Sequence, residues 1–498
     1  MKIRHITFLL LLLVMGLSSC ISDDSEGVSV LVPTIGIETD DTTSMPVKNF
    51  NLGNDAVITP KISYSGQDEL VYTWYVGTYK NGVKGEMKMV SNDKTLSHRF
   101  TNGGNYYAHL TVTDGRVGAA RDYRINIRRT FEEGYLIVSN DANGKGNLAF
   151  VKTMTPEEIA EGEKQICMEH IIERMNEGIT VGHLYGAMHG FITWPKTIHR
   201  IIAATEDHSY FFDPNSFTIT SSVRYADVVD GFKASGFYAD SYSPFAYDAS
   251  RKKFIHLNQQ YMFGYELGYF QGQSFEDLFQ NPYAAFGSVY YSNLYVDYTT
   301  STVKALNMNM GTFNDTGERL AQEEIISCFL SPILEYIPHD LILTRSKADP
   351  TQWHLHDYAG IAYIAEDDNG KTTDFNVSAN TAVPAQGTRF AFSEPNNRYF
   401  YPVDNHIYVF IPTNSKPMPD KDQWAVEMPK GETITYMNIN SKTDELYVGT
   451  VTTSTGRGNF YIFKSSDIKT DNQGRVRPIA THKNVADRIS QIIYNPSL

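Results

Sequence analysis

Pairs of short strands joined by tight turns recur from residue 134 to the end of the chain, and no other feature constrains the fold as much. Glu133–Asn140 opens the pattern, Asp141–Gly146 turns, and Asn147–Val151 returns. Similar pairs follow at Arg200–Thr205 with Ser209–Pro214, at Ala246–Asp248 with Lys253–Leu257, and at Leu341–Arg345 with Gln352–His356. Arg389–Phe392, His406–Phe410, Thr435–Ile439, Glu445–Gly449 and Asn459–Phe463 continue it. At about 45–60 residues per blade, about 365 residues make six to eight blades, and the spacing predicts a β-propeller of about seven. The repeats share no common dipeptide, so the architecture is better defined than the count, and a pair of large β-sandwiches is the competing arrangement. A propeller has to close on itself. Ile489–Tyr494 reads as a final strand, expected to lie beside Tyr135–Ser139 and remove an open edge.

One segment departs from the strand pattern. Thr155 stands as an N-cap, Pro156 at the first helical position, and Glu158 completes a capping box. Ile159, Ile166, Ile171 and Met175 fall near one face, and Gly178 ends the run. The spacing predicts an inserted helix over about 156–176, packed across a blade edge.

Residues 33–130 read as a separate all-β domain of short strands with Gly and Asn turns, an immunoglobulin-like sandwich with Trp74 at its centre. Gly104-Asn105-Tyr106-Tyr107-Ala108-His109-Leu110-Thr111-Val112-Thr113-Asp114, with Tyr72–Tyr75 upstream, resembles the signature of PKD domains. That resemblance implies a non-catalytic spacer or adhesion module.

The chain begins with Lys2 and Arg4, then an apolar run from Ile6 to Leu17 that is too short to span a bilayer. Leu17-Ser18-Ser19-Cys20 resembles the lipobox of bacterial lipoproteins. The resemblance implies a signal peptide over residues 1–19 and lipid attachment at Cys20. Residues 20–32 form a polar tether whose Asp23, Asp24 and Glu26 are similar to the acidic export signals of surface lipoproteins in glycan-degrading gut bacteria. Taken together, lipobox, PKD-like domain, the entry strand Gly134-Tyr135-Leu136-Ile137-Val138-Ser139 and a propeller-like remainder resemble the PKD-like family of surface lipoproteins. Membership implies an accessory subunit beside a SusC/SusD-type outer-membrane importer, facing the cell exterior and binding a glycan or oligopeptide. The competing expectation is a surface glycoside hydrolase or peptidase on the same scaffold.

A formal net charge of −14 argues against a nucleic-acid partner, which requires clustered cations. Beyond Cys20 only Cys167 and Cys328 remain, too few for a disulfide framework; two buried thiols are expected.

No motif assigns catalysis, a metal or a cofactor. His354 and His356 share a strand face by their spacing, but no third ligand is evident, and ordinary packing is expected. His183 and His189 match no zinc-ligand helix spacing. Asp141–Asn147 alternates oxygen side chains like a calcium loop, yet Lys145 and the missing glutamate favour a hairpin turn, as does Glu366–Gly370. Glu206, Asp207, Asp297 and Asp404 are carboxylates that a glycosidase would need in pairs. The tyrosines are more suggestive: 32 of them stand against 27 phenylalanines, several grouped in expected loops. Tyr238, Tyr242 and Tyr291 are the candidate ligand-binding residues, since a phenol ring offers an apolar face for stacking and a polar edge.

Overall fold

The computed structural model describes residues 32–38, 45–80, 82–128, 131, 133–154, 159–160, 165–192, 198–238, 244–248, 250–251, 253–258, 262–266, 277–279, 292–297, 300–307, 312–315, 320–330, 340–358, 370–440, 442–470 and 476–495. Among them almost every ordered element is a strand, and the chain divides into two compact units. None of the described helices is long and apolar enough to cross a membrane.

The first unit is built on a five-stranded sheet ordered Val47–Asn51, Gly118–Arg128, Gly104–Thr113, Val71–Lys80, Val83–Ser91. Two further pairs join Ile35–Glu38 to Lys61–Tyr64 and Asp55–Ile58 to Leu96–Arg99. Alternation along Gly104–Thr113 buries Ala108, Leu110 and Val112 on one face, and Tyr107 is buried on the other. Trp74 is completely buried, as its sequence context predicts. Its ring centroid lies 5.6 Å from that of Tyr123, and its indole N–H donates to the Asp93 carbonyl at 3.0 Å. Asp114 is equally fixed. It accepts from the backbone N–H of Val117 and of Arg116, both at 2.8 Å, and from the Tyr64 hydroxyl at 2.7 Å. These bonds hold its carboxyl down at about 2.

The second unit carries seven four-stranded sheets among the described residues. In the second to seventh sheets the strands lie in chain order. The second runs Leu184–Ile192, Ile198–Thr205, His208–Phe212, Ile219–Arg224, and the seventh runs Glu432–Asn440, Glu445–Thr452, Gly458–Lys464, Ala480–Ala486. The first sheet differs because its end strand is the last of the chain. Arg488–Asn495 pairs antiparallel with Gly134–Asn140, Tyr494 opposite Tyr135 and Ile492 opposite Ile137. The closure expected from Ile489–Tyr494 is therefore present.

The first strands of neighbouring sheets meet: Leu184–Ile192 touches both Arg488–Asn495 and Gly236–Tyr238, and Glu432–Asn440 touches Arg488–Asn495 and Ala391–Ser393. Apolar layers fill the space between sheets. Ile202, Phe211, Ala246 and Ile255 join the second to the third. Phe400, Val409, Leu446 and Val448 join the sixth to the seventh. Ile137, Ala149, Phe460 and Ile462 join the seventh back to the first. Middle strands such as Gly146–Lys152 are buried on both faces and have no exposed position, while outer strands such as Ile219–Arg224 and Lys371–Asn376 keep exposed ones.

The expected helix over about 156–176 is corrected. Residues 159–160 are helical, but Cys167–Met168 is extended and pairs with Phe150 and Val151 as the outer strand of the first sheet, and helix resumes only at Ile171–Met175. His170, with a left-handed φ of 56°, turns the chain between them. The helical spacing of Ile166 and Ile171 loses to the sheet edge, which offers ladder bonds to Cys167 and burial to Met168. The capping residues Thr155–Glu158 lie outside the described residues. Ile171, Ile172 and Met175 are buried, so this short helix does pack as a cover.

Candidate functional site

The first strands of four sheets are interrupted at one equivalent point. Each places an extra residue opposite its neighbour: Tyr185 in the second sheet, Ile326 in the fifth, Thr435 in the seventh, and Ser490 in the first. The residue facing the position before each bulge is a buried hydroxyl, namely Thr205, Thr344, Thr450 and Ser139. In three of the four sheets an acidic residue lies two positions ahead of that point: Glu323, Glu432 and Asp487. A bulge re-aims a side chain that regular alternation would otherwise direct into a packed face.

Three of the bulged residues, Tyr185, Thr435 and Ser490, line one cavity of about 470 Å³. Phe237 and Tyr247 add aromatic surface, Ile434 and Met437 add apolar surface, and Thr388, Arg389 and Gln491 add polar groups. Close backbone approaches shape the wall. A Cβ on Gly236 would stand 2.2 Å from the Tyr247 ring, and one on Gly186 would stand 3.1 Å from Phe237. Much of the polar lining is already committed. Ser235, Thr435 and Ser490 donate to the carbonyls of Tyr247, Gly449 and Val138 at 3.2–3.3 Å, and Tyr436 donates to the Ile492 carbonyl at 3.2 Å.

The acidic residues of the bulge motif sit in dense hydrogen-bond clusters. Glu432 accepts from Thr450 at 2.5 Å, from Tyr461 at 2.8 and 3.0 Å, and from Lys483 at 2.6 Å. Burial alone would raise its carboxyl, but the bonds from Lys483, Thr450 and Tyr461 outweigh burial and hold it below the usual value. Glu323 meets His356 at 2.7 Å and also accepts from Thr344, and it is lowered for the same reason against the same burial. Asp487 accepts from Asn147 at 3.1 Å and from Arg457 at 3.0 Å.

The candidates read from sequence fare unevenly. Tyr238 ends the strand Gly236–Tyr238 and is not on a loop, because Gly236–Tyr238 pairs with Phe245–Tyr247. Tyr242, Tyr291 and Cys20 lie outside the described residues, as does Glu366–Asn369. The ring centroids of His354 and His356 are 6.0 Å apart, but their partners diverge: His354 bonds Asp374 at 2.8 Å, and His356 bonds Glu323 and Thr372. Among the described residues no three His, Cys, Asp or Glu side chains converge on a metal position. His183 bonds the Gly144 carbonyl at 3.2 Å, and burial pulls the His189 imidazole down to about 4. Asp141 caps its own hairpin, accepting from the N–H groups of Asn143 and Lys145 at 2.8 Å, and so is the turn its sequence suggests. Glu206 pairs with Lys233 at 2.8 Å, Asp207 receives Thr205, and Asp404 holds a left-handed hairpin position with φ 56°. The expectation of two buried thiols holds for Cys328 only. Cys167 is exposed on its outer strand, although local burial of the sulfur still pushes the thiol up to about 11.

Sequence reasoning missed Tyr185, Thr388, Arg389, Thr435, Ser490 and Gln491. The signal that could have found two of them, Thr435 and Ser490, is the recurring acidic residue ahead of the bulge, matched to a buried hydroxyl on the next strand. The spacing between the two varies from sheet to sheet.

Neither a family model nor a curated protein matches the chain. Its fold is similar to that of a quinonprotein alcohol dehydrogenase-like protein from Bacteroides thetaiotaomicron, at 15% identity and a TM-score of 0.51, over 92% of this chain and 99% of that one. That likeness and the closed series of sheets give a β-propeller-like fold. A putative 6-phosphogluconolactonase from Bacteroides fragilis is more distant, at 10% identity and a TM-score of 0.34, over 85% of this chain and 98% of that one.

Proposed function

We propose that this chain is a lipid-anchored outer-membrane protein, held by acylated Cys20 and facing the cell exterior, that binds a glycan or oligopeptide beside a SusC/SusD-type importer. In this reading the first unit is a PKD-like sandwich acting as a spacer, and the second is a seven-bladed propeller with one four-stranded sheet per blade. The residues supporting the anchor are Lys2, Arg4, the apolar run and Leu17-Ser18-Ser19-Cys20.

The observation that carries the binding role is the cavity of about 470 Å³ into which bulged residues of separate sheets are turned. Its volume suits a small ligand, and its mixture of aromatic faces and polar groups is typical of pockets that orient one. The main experiment incubates purified protein with panels of neutral and acidic oligosaccharides and short peptides, following both binding and products. Saturable binding with the ligand recovered intact is expected, weakened by Tyr185→Ala. Turnover abolished by a single carboxylate substitution would replace this reading with a surface hydrolase. For the anchor, Cys20→Ser is expected to release the protein from the membrane fraction; continued membrane retention would refute the lipid attachment.

A further inference from the structure

We propose that the cavity of the second unit recognises a carboxylate on its ligand, with Arg389 as the anion-binding residue and Gln491 as a supporting donor. The inference rests on the ligand-binding reading above and names the chemistry that this reading leaves open.

The argument comes from what the cavity has left to offer. Its lining contains no aspartate or glutamate, although the chain as a whole carries 57 acidic residues against 43 basic ones. A chain with that excess would be expected to pair an arginine at little cost, yet among the described residues Arg389 has no carboxylate partner and is exposed. Guanidinium groups have five N–H donors and no acceptor, in a fork that fits a carboxylate with two parallel bonds.

Gln491 points the same way. Its Oε1 accepts from the backbone N–H of Ala187 at 2.9 Å, and a backbone N–H can only donate, so the amide orientation is fixed. Its Nε2 group is left with two donors and no protein partner among the described residues. The hydroxyl protons of Ser235, Thr435, Ser490 and Tyr436 are spent on backbone carbonyls, which leaves these groups as neutral acceptors. Beyond neutral hydroxyls, the cavity offers the Arg389 guanidinium and the Gln491 amide donors, with one positive charge and no lining carboxylate to balance it. A carboxylate asks for donors alone. The faces of Tyr185 and Phe237 beside it suit the ring or chain that bears the acid.

A carboxylate of this kind belongs either to a sugar acid or to the free C-terminus of a short peptide. The test uses matched pairs on the purified full-length protein: a glucuronate-terminated disaccharide against its glucose-terminated counterpart, and a tripeptide with a free C-terminus against its amide. Calorimetric titration is expected to show the acid member of one pair bound about 10- to 100-fold more tightly than its neutral partner. The pair that shows this preference identifies the source. Arg389→Gln is expected to abolish the preference by weakening the acid ligand far more than the neutral one, with the melting temperature unchanged. Arg389→Lys should retain part of it, since it keeps the charge but not the fork, and Lys469→Gln, at a lysine that does not line this cavity, should change nothing. Equal binding of acid and neutral members, or a preference that survives Arg389→Gln, would overturn the carboxylate assignment while leaving ligand binding intact. Failure of all four probes to bind the wild-type protein would count against both readings.

Discussion

Glu323 and Glu432 stand at the same register point of two different sheets, each two residues before the isoleucine that faces a buried threonine across the first strand pair. Glu323 reaches Thr344 and His356; Glu432 reaches Thr450 and Tyr461. The chain thus repeats a polar clamp at the base of its inner-strand bulges while varying the residue on the third strand.

Glu432→Gln removes a carboxylate that accepts from three side chains, Thr450, Tyr461 and Lys483, and leaves buried donors facing an amide. The expected cost is about 1–3 kcal/mol in chemical denaturation at neutral pH. Because the folded-state carboxyl lies below the unfolded value of 4.5, its contribution is complete above that value and is lost as the pH falls through the folded one. The gap between variant and wild type should accordingly narrow below about pH 4.5. A gap that is constant from pH 7 to pH 3 would show that the clamp is not ionised.

Acidification should act earlier through histidine. His256 is buried in the third sheet, and desolvation pulls its imidazole from 6.5 down to about 4. The unfolded chain therefore takes up a proton between those values while the folded chain does not, and stability rises with pH across that window. The contribution lost between pH 6.5 and 4 is on the order of 3 kcal/mol. His256→Gln should flatten the decline in melting temperature over this range, and an unchanged slope would count against it.

Gly458 leaves no room for a side chain. A Cβ there would lie 2.1 Å from the Asp487 carbonyl oxygen and 2.7 Å from Ile489, at the junction of the seventh sheet with the closing strand. Because the first obstacle is backbone, Gly458→Ala is expected to cost about 2 kcal/mol or more and to loosen the closure. Hydrogen exchange along Arg488–Asn495 should report it. Protection equal to wild type in that strand would refute the assignment.

Trp74→Ala empties the centre of the first unit and strips the Asp93 carbonyl of its indole donor. A loss of about 3–5 kcal/mol is expected from the cavity alone. The measurement is a denaturant titration followed by the near-ultraviolet signal of the remaining aromatic residues. A midpoint shift under about 1 kcal/mol would mean that the surrounding core collapses onto the site.

Local chemistry in the sequence was enough to determine the strand pairs, the Asp141 hairpin, the buried Trp74 and the pairing of the last strand with Tyr135–Ser139. Each depends on alternation, turn residues or the need to cover an edge, and those act over a few residues or follow from closure itself. Tertiary structure decided what local pattern could not. The segment around Cys167 is helical in spacing, but it became a strand because the first sheet had an edge to fill. The cavity, with Tyr185, Arg389, Thr435, Ser490 and Gln491, gathers residues that are far apart in the chain. Only the arrangement of sheets brings these residues together, and bulges at matching register place Tyr185, Thr435 and Ser490 among them.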